Sequence, residues 1–483
     1  MGFLFSLPEN LIYPIAFIFV LCTAVVLHEF GHFIVAKLFK IRVETFSVGF
    51  GPRLFGKKWG DTDYRVSAIP LGGYVKLGGD ESNAPIEGES APDIPPEQRF
   101  DLRPRWQRIL VAIAGPVMNI ITALAIPFTG ALMYGVQVAP PPVVRQVIPG
   151  GAADVAGLKP GDRIVSFDGK PNPRWKTIAD DALLSPSVAI PIEVDRNGQR
   201  LSLTIKPTPH TEQGETAGFL DFLPDYGNVP IVVREIVPNS PAADAGLQVG
   251  DRIVAVNAEP VKSAEQVTQF IREHKGQPIT LGAERNAKQF NITATPRLLN
   301  PQEGRERLGF TPDEQIPFQR VGIAGAFVEA VDSNVEIIRV TGKAIGQLFA
   351  GKRSVRNTIS GPIGIYSAVS SSVSRLGWEG VFSILGFLSL NLGIFNLLPI
   401  PVLDGGAIFL LLIEAALALI GMTISAAVRE RIQQVGFVVV LLLMVFVITN
   451  DVLKRWSMRQ APDNNTPAAS PAPATPAPAT PGK

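Results

Sequence analysis

The chain has little of what usually builds a metal site or a staple. It holds one cysteine, Cys22, and four histidines, His28, His32, His210 and His274. A single thiol excludes an internal disulfide and a cysteine-based zinc cluster. An excess of charge is also lacking: 44 Lys and Arg face 43 Asp and Glu, dispersed along the chain. That balance gives no electrostatic ground for nucleic-acid binding. What the 483 residues do carry is apolar sequence, 46% hydrophobic with a mean hydropathy of +0.23. The composition points to a membrane protein with soluble portions and several domains.

Two of the histidines fall where lipid is expected. The run "VVLHEFGHFI" (25–34) places His28, Glu29 and His32 inside an apolar stretch. Ionisable side chains are costly in a bilayer and, where present, usually mark function. Residues four apart share a helix face, so His28 and His32 can aim two imidazoles at one metal ion. Glu29 then stands beside the ion, placed to take a proton from water there. Gly31 in the spacer allows close packing or substrate approach. His210 and His274 lie in polar sequence, so a third ligand from within the membrane has to be a carboxylate.

Hydropathy predicts four spans, at about 11–36, 108–137, 380–421 and 433–450. The first does not read as a signal peptide, because residues 1–10 lack Lys and Arg and the apolar run continues straight into the histidine motif. The third is too long for one helix and contains Pro399 and Pro401, so it reads as broken, an arrangement that needs protein or a water-filled cavity around it. Basic residues concentrate at 37–108 (Lys37, Lys40, Arg42, Lys57, Lys58, Arg103, Arg105, Arg108) and at Arg429 and Arg431. The positive-inside rule puts those stretches in the cytoplasm. Both termini and the segment 138–380 then lie on the far side, although Lys454, Arg455 and Arg459 run against that orientation.

The long segment repeats itself. "VRQVIPGGAADVAGLKPGDRIVS" (144–166) returns as "VREIVPNSPAADAGLQVGDRIVA" (233–255), identical at roughly half its positions. Each copy reads as strand, turn, short helix and a strand starting at "DRIV", followed by alternating strand patterns. Two α+β domains are expected, at 139–209 and 228–298. The stretch 318–356 has helical periodicity and suits either a membrane surface or the flank of a domain. From 461 the Pro/Ala-rich tail is expected to be disordered.

Two carboxylates compete for the third ligand position. Asp404 sits in "NLLPIPVLDGG" (396–406), which the prolines must unwind, letting a short side chain reach a metal on another helix. Glu414 lies in regular helical sequence nearer the cytoplasmic end. Asp404 is the better candidate.

With "HEFGH" in a first span, "AGPVMN" in a second, a duplicated module and "NLLPIPVLDGG" in a third, the chain resembles the bacterial site-2 proteases. The likeness is to the regulator-of-sigma-E-protease type and covers nearly everything but the tail. It implies a polytopic α-helical membrane protein with four transmembrane segments, the third broken, a membrane-associated β-hairpin and two periplasmic PDZ domains of α+β fold. The membrane protease halves would be 1–137 and 380–456, with 318–356 a helical connector.

The resemblance also implies roles. His28, His32 and Asp404 would hold Zn2+, and Glu29 would be the general base. Asn396 matches an asparagine that engages substrate backbone near the metal, with Asn391 assisting. "SVGFGP" (47–52) resembles the hairpin whose Gly49, Phe50 and Gly51 pair with an unwinding substrate, though the glycines also suit a plain turn. "IPLGGYVKLGGD" (69–80) matches the strand that follows. Gly115, Pro116 and Asn119 match a second-span motif read as packing. Ala407 departs from the family pattern, where histidine often follows the paired glycines. The implied substrates are single-span membrane proteins already shortened in the periplasm, such as an anti-sigma factor, together with signal-peptide remnants.

The physical logic is compatible with those roles. A helical peptide hides its carbonyls, whereas a sheet edge can recruit an extended segment and present one to a metal. The PDZ tandem would filter substrates by size or receive an exposed C-terminus. A membrane scaffold would have lost one of His28, Glu29, His32 or Asp404, and none is lost. A soluble zincin merely anchored by helices would need a ligand outside the membrane, and no motif supplies one.

Overall fold

The computed structural model describes residues 8–80, 94–212, 215–227, 229–299, 306–350 and 361–460. The tail from 461 and both chain ends lie outside them. In chain order the longer helices are α1 (Glu9–Leu38), α2 (Arg105–Tyr134), α3 (Trp175–Leu183), α4 (Ala264–Glu273), α5 (Ile323–Phe349), α6 (Pro362–Leu376), α7 (Trp378–Asn396), α8 (Asp404–Leu419) and α9 (Ala426–Gln460). Four stretches are long and apolar enough to cross a membrane: Asn10–Leu38, Arg105–Tyr134, Trp378–Asn396 and Arg431–Leu453. The chain divides into two units, 1–127 with 211–216 and 330–483, and 128–210 with 217–329.

In the first unit α1 is the central strut. Ile12, Ala16, Val20 and Ala24, spaced by four, form one buried stripe against Val369 and Val373 of α6 and Val381 and Leu385 of α7. Four-residue spacing keeps side chains on one helix face, and the next steps of that stripe are His28, His32 and Ala36. The sequence therefore turns both imidazoles inward with the same periodicity that builds the core. Buried Asp451 of α9 caps α6, accepting from the N–H groups of Gly361 and Ile363, each at 3.0 Å. A carboxylate there satisfies orphan donors and suits the positive end of the helix.

After α1 the chain makes two long strands, β1 (Val43–Trp59) and β2 (Thr62–Leu77). Thr45 through Val48 face Lys76 through Gly73 on one side and Asp63 through Val66 on the other. Phe55 through Lys58 then face Val66 back to Asp63. The hairpin thus folds into a small sheet whose 73–77 edge lies nearest α1. The expected break of the third span falls between α7 and α8, at the Pro399 and Pro401 loop. α6, absent from the hydropathy reading, supplies the extra helix beside α1 and α7. Within the first unit, buried Asn334 of α5 donates to the Ala123 carbonyl of α2 at 3.0 Å, which favours packing for the connector; of the expected 318–356, Ile323–Phe349 is helical, and 351–356 lie outside the described residues.

The second unit contains the duplicated modules. In the first, strands 163–167, 170–171, 190–196 and 199–205 form one sheet beside α3. In the second, strands 288–294, 279–285, 252–256, 231–236 and 310–314 lie in that order beside α4. Each has its own apolar core, around Phe167 and Ile178 in one and Ile253 and Leu281 in the other. Strand pairing reaches beyond the expected 139–209 and 228–298. Strand 222–224 pairs with 144–147, and strand 310–314 pairs with 231–236, because each module closes with a strand that the alternating pattern before it did not reveal.

The repeated "GDRIV" explains itself in three dimensions. Asp162 and Asp251 are buried, and each is held by an arginine 34 residues on, Arg196 at 2.7 Å and Arg285 at 2.6 Å. Burial alone would raise the Asp162 carboxyl, but two hydrogen bonds from Arg196 and one from the Lys159 N–H hold it below the ordinary carboxylate range. A depressed folded-state value stabilises the fold above the unfolded value of about 3.9 and is lost as pH falls through the folded one. Asp162→Asn is therefore expected to lower the module's stability at neutral pH by on the order of 1–3 kcal/mol, the usual loss for a hydrogen bond to a charged group. Thermal unfolding at pH 7 and near pH 3 checks this: the gap between wild type and variant should narrow in acid. An unchanged gap would contradict it.

Candidate metal centre

The site begins where two helices touch. Gly31 of α1 lies against the backbone of Ala114 and Gly115 of α2, so closely that a Cβ there would overlap the Ala114 carbonyl. Gly115 faces the imidazoles instead: a Cβ on it would occupy the space beside His32 Nε2 and the His28 ring. The spacer glycine of HEFGH is thus a packing residue, and Gly115 leaves room at the ligating nitrogens.

The third donor arrives from the break between α7 and α8. Pro399 and Pro401 cannot continue a helix, and Val402 takes a φ of +82°. A β-branched residue in that region stores strain of about 1–3 kcal/mol, a cost often found at functional sites. Gly405 and Gly406 then press against the backbone of Leu397, Leu398 and Ile400, with no space for side chains. The tight turn sets Asp404 at the start of α8, facing α1.

There the three donors converge. Asp404 Oδ2 lies 3.0 Å from His28 Nε2, and Oδ1 lies 3.5 Å from His32 Nε2. The two Nε2 atoms are 3.2 Å apart. One ligand atom from each residue lies within 4.8 Å of the others. Two imidazoles and one carboxylate form a donor set suited to Zn2+ with a further position open. His32 Nδ1 is 2.7 Å from the Val111 carbonyl, so it carries the proton and Nε2 keeps its lone pair for a metal. The residues fit the ion: three convergent donors, one tautomer fixed, and a cradle that a Cβ at 115 would fill.

Glu29 sits beside this cluster and accepts a hydrogen bond from the Val75 N–H at 3.0 Å. That bond ties the carboxylate to the 73–77 edge of the sheet. Asn396, at the end of α7, brings Nδ2 to 3.3 Å from His28 Nε2, so it shares the centre. Asn391 does not: its amide donates back to the Phe387 carbonyl in its own helix at 2.8 Å. Glu414, the competing carboxylate, is buried against Arg429 of α9.

Of the 49–51 glycines, Gly49 is buried in the folded hairpin and Gly51 is exposed at its surface. A side chain at Gly49 would strike the carbonyls of Ile69 and Ser67, and Phe50 stacks on Tyr74 at 6.0 Å between centroids. The backbone bonded to Glu29 is that of Val75, in the segment read only as the following strand. Asn119, expected to pack, is fully buried with its Nδ2 3.2 Å from His28 Nδ1. The four-residue step from Gly115 to Asn119 was the available signal, since it puts both on the α2 face that meets the histidines.

Known proteins resemble most of the chain. The description "Peptidase family M50" matches residues 16–443. The regulator of sigma E protease of Haemophilus influenzae is 32% identical over 471 residues, covering 94% of this chain and 100% of that one. Regulator of sigma-E protease RseP of Escherichia coli is 31% identical over 457 residues, with 90% and 97% covered. Among solved structures, the PDZ domain of the SdrC-like protein from Listeria monocytogenes covers 17% of this chain and 85% of its own, at 22% identity and a TM-score of 0.16. With more than half its length matched and whole-length relatives above 30% identity, the chain belongs to peptidase family M50.

Proposed function

We propose that this chain is an intramembrane zinc metalloendopeptidase that cleaves single-span membrane proteins. The observation that carries the reading is the convergence of His28, His32 and Asp404 beside Glu29, on helices apolar enough to span a bilayer. The three residues would hold Zn2+, which supplies Lewis acidity at the scissile carbonyl. Glu29 takes the proton of the attacking water and returns it to the departing amine. Asn396 donates its amide to the substrate near the reacting carbonyl. The strand edge at 73–77 takes up the unwound segment by strand addition, and its tie to Glu29 brings that segment to the base.

The names of the relatives and the duplicated modules support a substrate class. A regulator of sigma E protease points to an anti-sigma factor already shortened outside the membrane, with signal-peptide remnants as a second class. The protein would reside in the bacterial inner membrane with modules and termini in the periplasm. There the modules, read as PDZ domains, meet the substrate's periplasmic stub or new C-terminus.

The test uses the full chain in detergent with a tagged single-span peptide, with and without a folded periplasmic domain. The chelator 1,10-phenanthroline should abolish cleavage and a small excess of zinc should restore it, for the shortened peptide only. Cleavage that survives thorough chelation would rule out the metalloprotease reading. Equal cleavage of both peptides would rule out a filter in the modules.

A further inference from the structure

The His28 imidazole has a partner on each side. Its Nε2 faces Asp404, His32 and Asn396, whereas Nδ1, among the described residues, faces Asn119, at 3.2 Å. Asn119 is fully buried, and its Oδ1 has no hydrogen-bond partner among the described residues. With Nδ2 towards His28, the amide nitrogen donates to a bare Nδ1. That places the ring proton on Nε2, the atom that must be free for a metal, and leaves a buried oxygen unsatisfied at a cost of about 1–3 kcal/mol.

A half-turn of the amide exchanges the two atoms in place. The oxygen then accepts from Nδ1–H and Nε2 presents its lone pair to the centre, while the amide N–H groups take the oxygen's former place. His32 already shows this arrangement, with the Val111 carbonyl as acceptor. Val111 and Asn119 stand eight residues apart on α2, two turns along one face.

We infer that Asn119 is a positioning residue for the metal centre: its amide oxygen accepts the His28 Nδ1 proton and so fixes the tautomer that ligates through Nε2. α2 thus orients both imidazoles, one through a main-chain carbonyl and one through a side chain. Only the second can be altered by substitution. A partner of this kind typically contributes 10–100-fold in metal affinity.

The inference rests on the zinc reading above, and its test separates the two. Full-length wild type, Asn119→Leu, Asn119→Asp and His28→Ala are purified in detergent, stripped of metal and titrated with zinc against a chromophoric chelator. The cobalt-loaded visible spectrum is a second readout, and neither depends on activity. Leucine keeps the shape of asparagine without an acceptor, whereas aspartate keeps the acceptor. Wild type should bind zinc, Asn119→Leu about 10–100-fold more weakly, and Asn119→Asp within about threefold of wild type with the same cobalt spectrum. Thermal unfolding of the metal-free forms shows whether the leucine variant is folded; if it is not, Asn119→Ala takes its place. Equal affinity in wild type and Asn119→Leu would overturn the inference, as would an aspartate variant as weak as leucine. Wild type that binds no better than His28→Ala would instead sink the zinc reading, and this inference with it.

Discussion

Glu29→Gln, purified in detergent, is expected to keep its zinc and to cleave a shortened single-span peptide about 10²–10⁴-fold more slowly, the usual contribution of a positioned general base. The carboxylate is one residue from a ligand yet lies outside the set of three donors, so its loss leaves the metal in place. Glutamine preserves length and can still accept from the Val75 N–H through its oxygen. It cannot take a proton from water. A gel assay of cleavage beside elemental analysis of the same samples separates the two roles. Loss of zinc in the Glu29→Gln protein would make the residue a ligand instead. Undiminished cleavage would remove it from the chemistry.

Asp404→Ala is expected to lose both functions together. It removes one of three donors, the only anionic one, and the two histidines remaining share a single helix. Catalytic zinc sites ordinarily keep three protein ligands and one open position. Affinity should fall by well over the 10–100-fold seen when an outer partner is removed. Glu414→Gln supplies the contrast, since that carboxylate faces Arg429 and shares no donor cluster. Full zinc and full activity in Asp404→Ala would overturn the ligand set; loss of zinc in Glu414→Gln alone would reassign it.

Most of the centre was legible because a few local rules act on it. The four-residue spacing of His28 and His32 continues the spacing of Ile12, Ala16, Val20 and Ala24, so one periodicity builds core and site. Pro399 and Pro401 announced the break that delivers Asp404, and the scarcity of histidine excluded a third imidazole in the spans. What stayed hidden depends on tertiary neighbours. The step from Gly115 to Asn119 marks one face of α2, but it does not tell that the Asn119 amide meets an imidazole 91 residues earlier. Asn391 was expected only to assist Asn396; it lies a turn back in α7 and bonds its own helix, while Asn396 stands at the helix end. The resemblance directs attention to Gly49, Phe50 and Gly51, whereas it is the Val75 N–H of the folded strand that bonds Glu29. The closing strands 222–224 and 310–314 escaped because each pairs with a strand about 75 residues earlier, a long-range choice that alternation does not reveal.

The most direct measurement is an anomalous-scattering map at the zinc edge from crystals of the zinc-loaded full chain. A single strong peak between His28 Nε2, His32 Nε2 and the Asp404 carboxylate, at about 2.0–2.2 Å from each, is the expected result, with Glu29 outside bonding distance. A peak bound by Glu414, or no peak at the triad in fully loaded protein, would contradict the assignment of this centre.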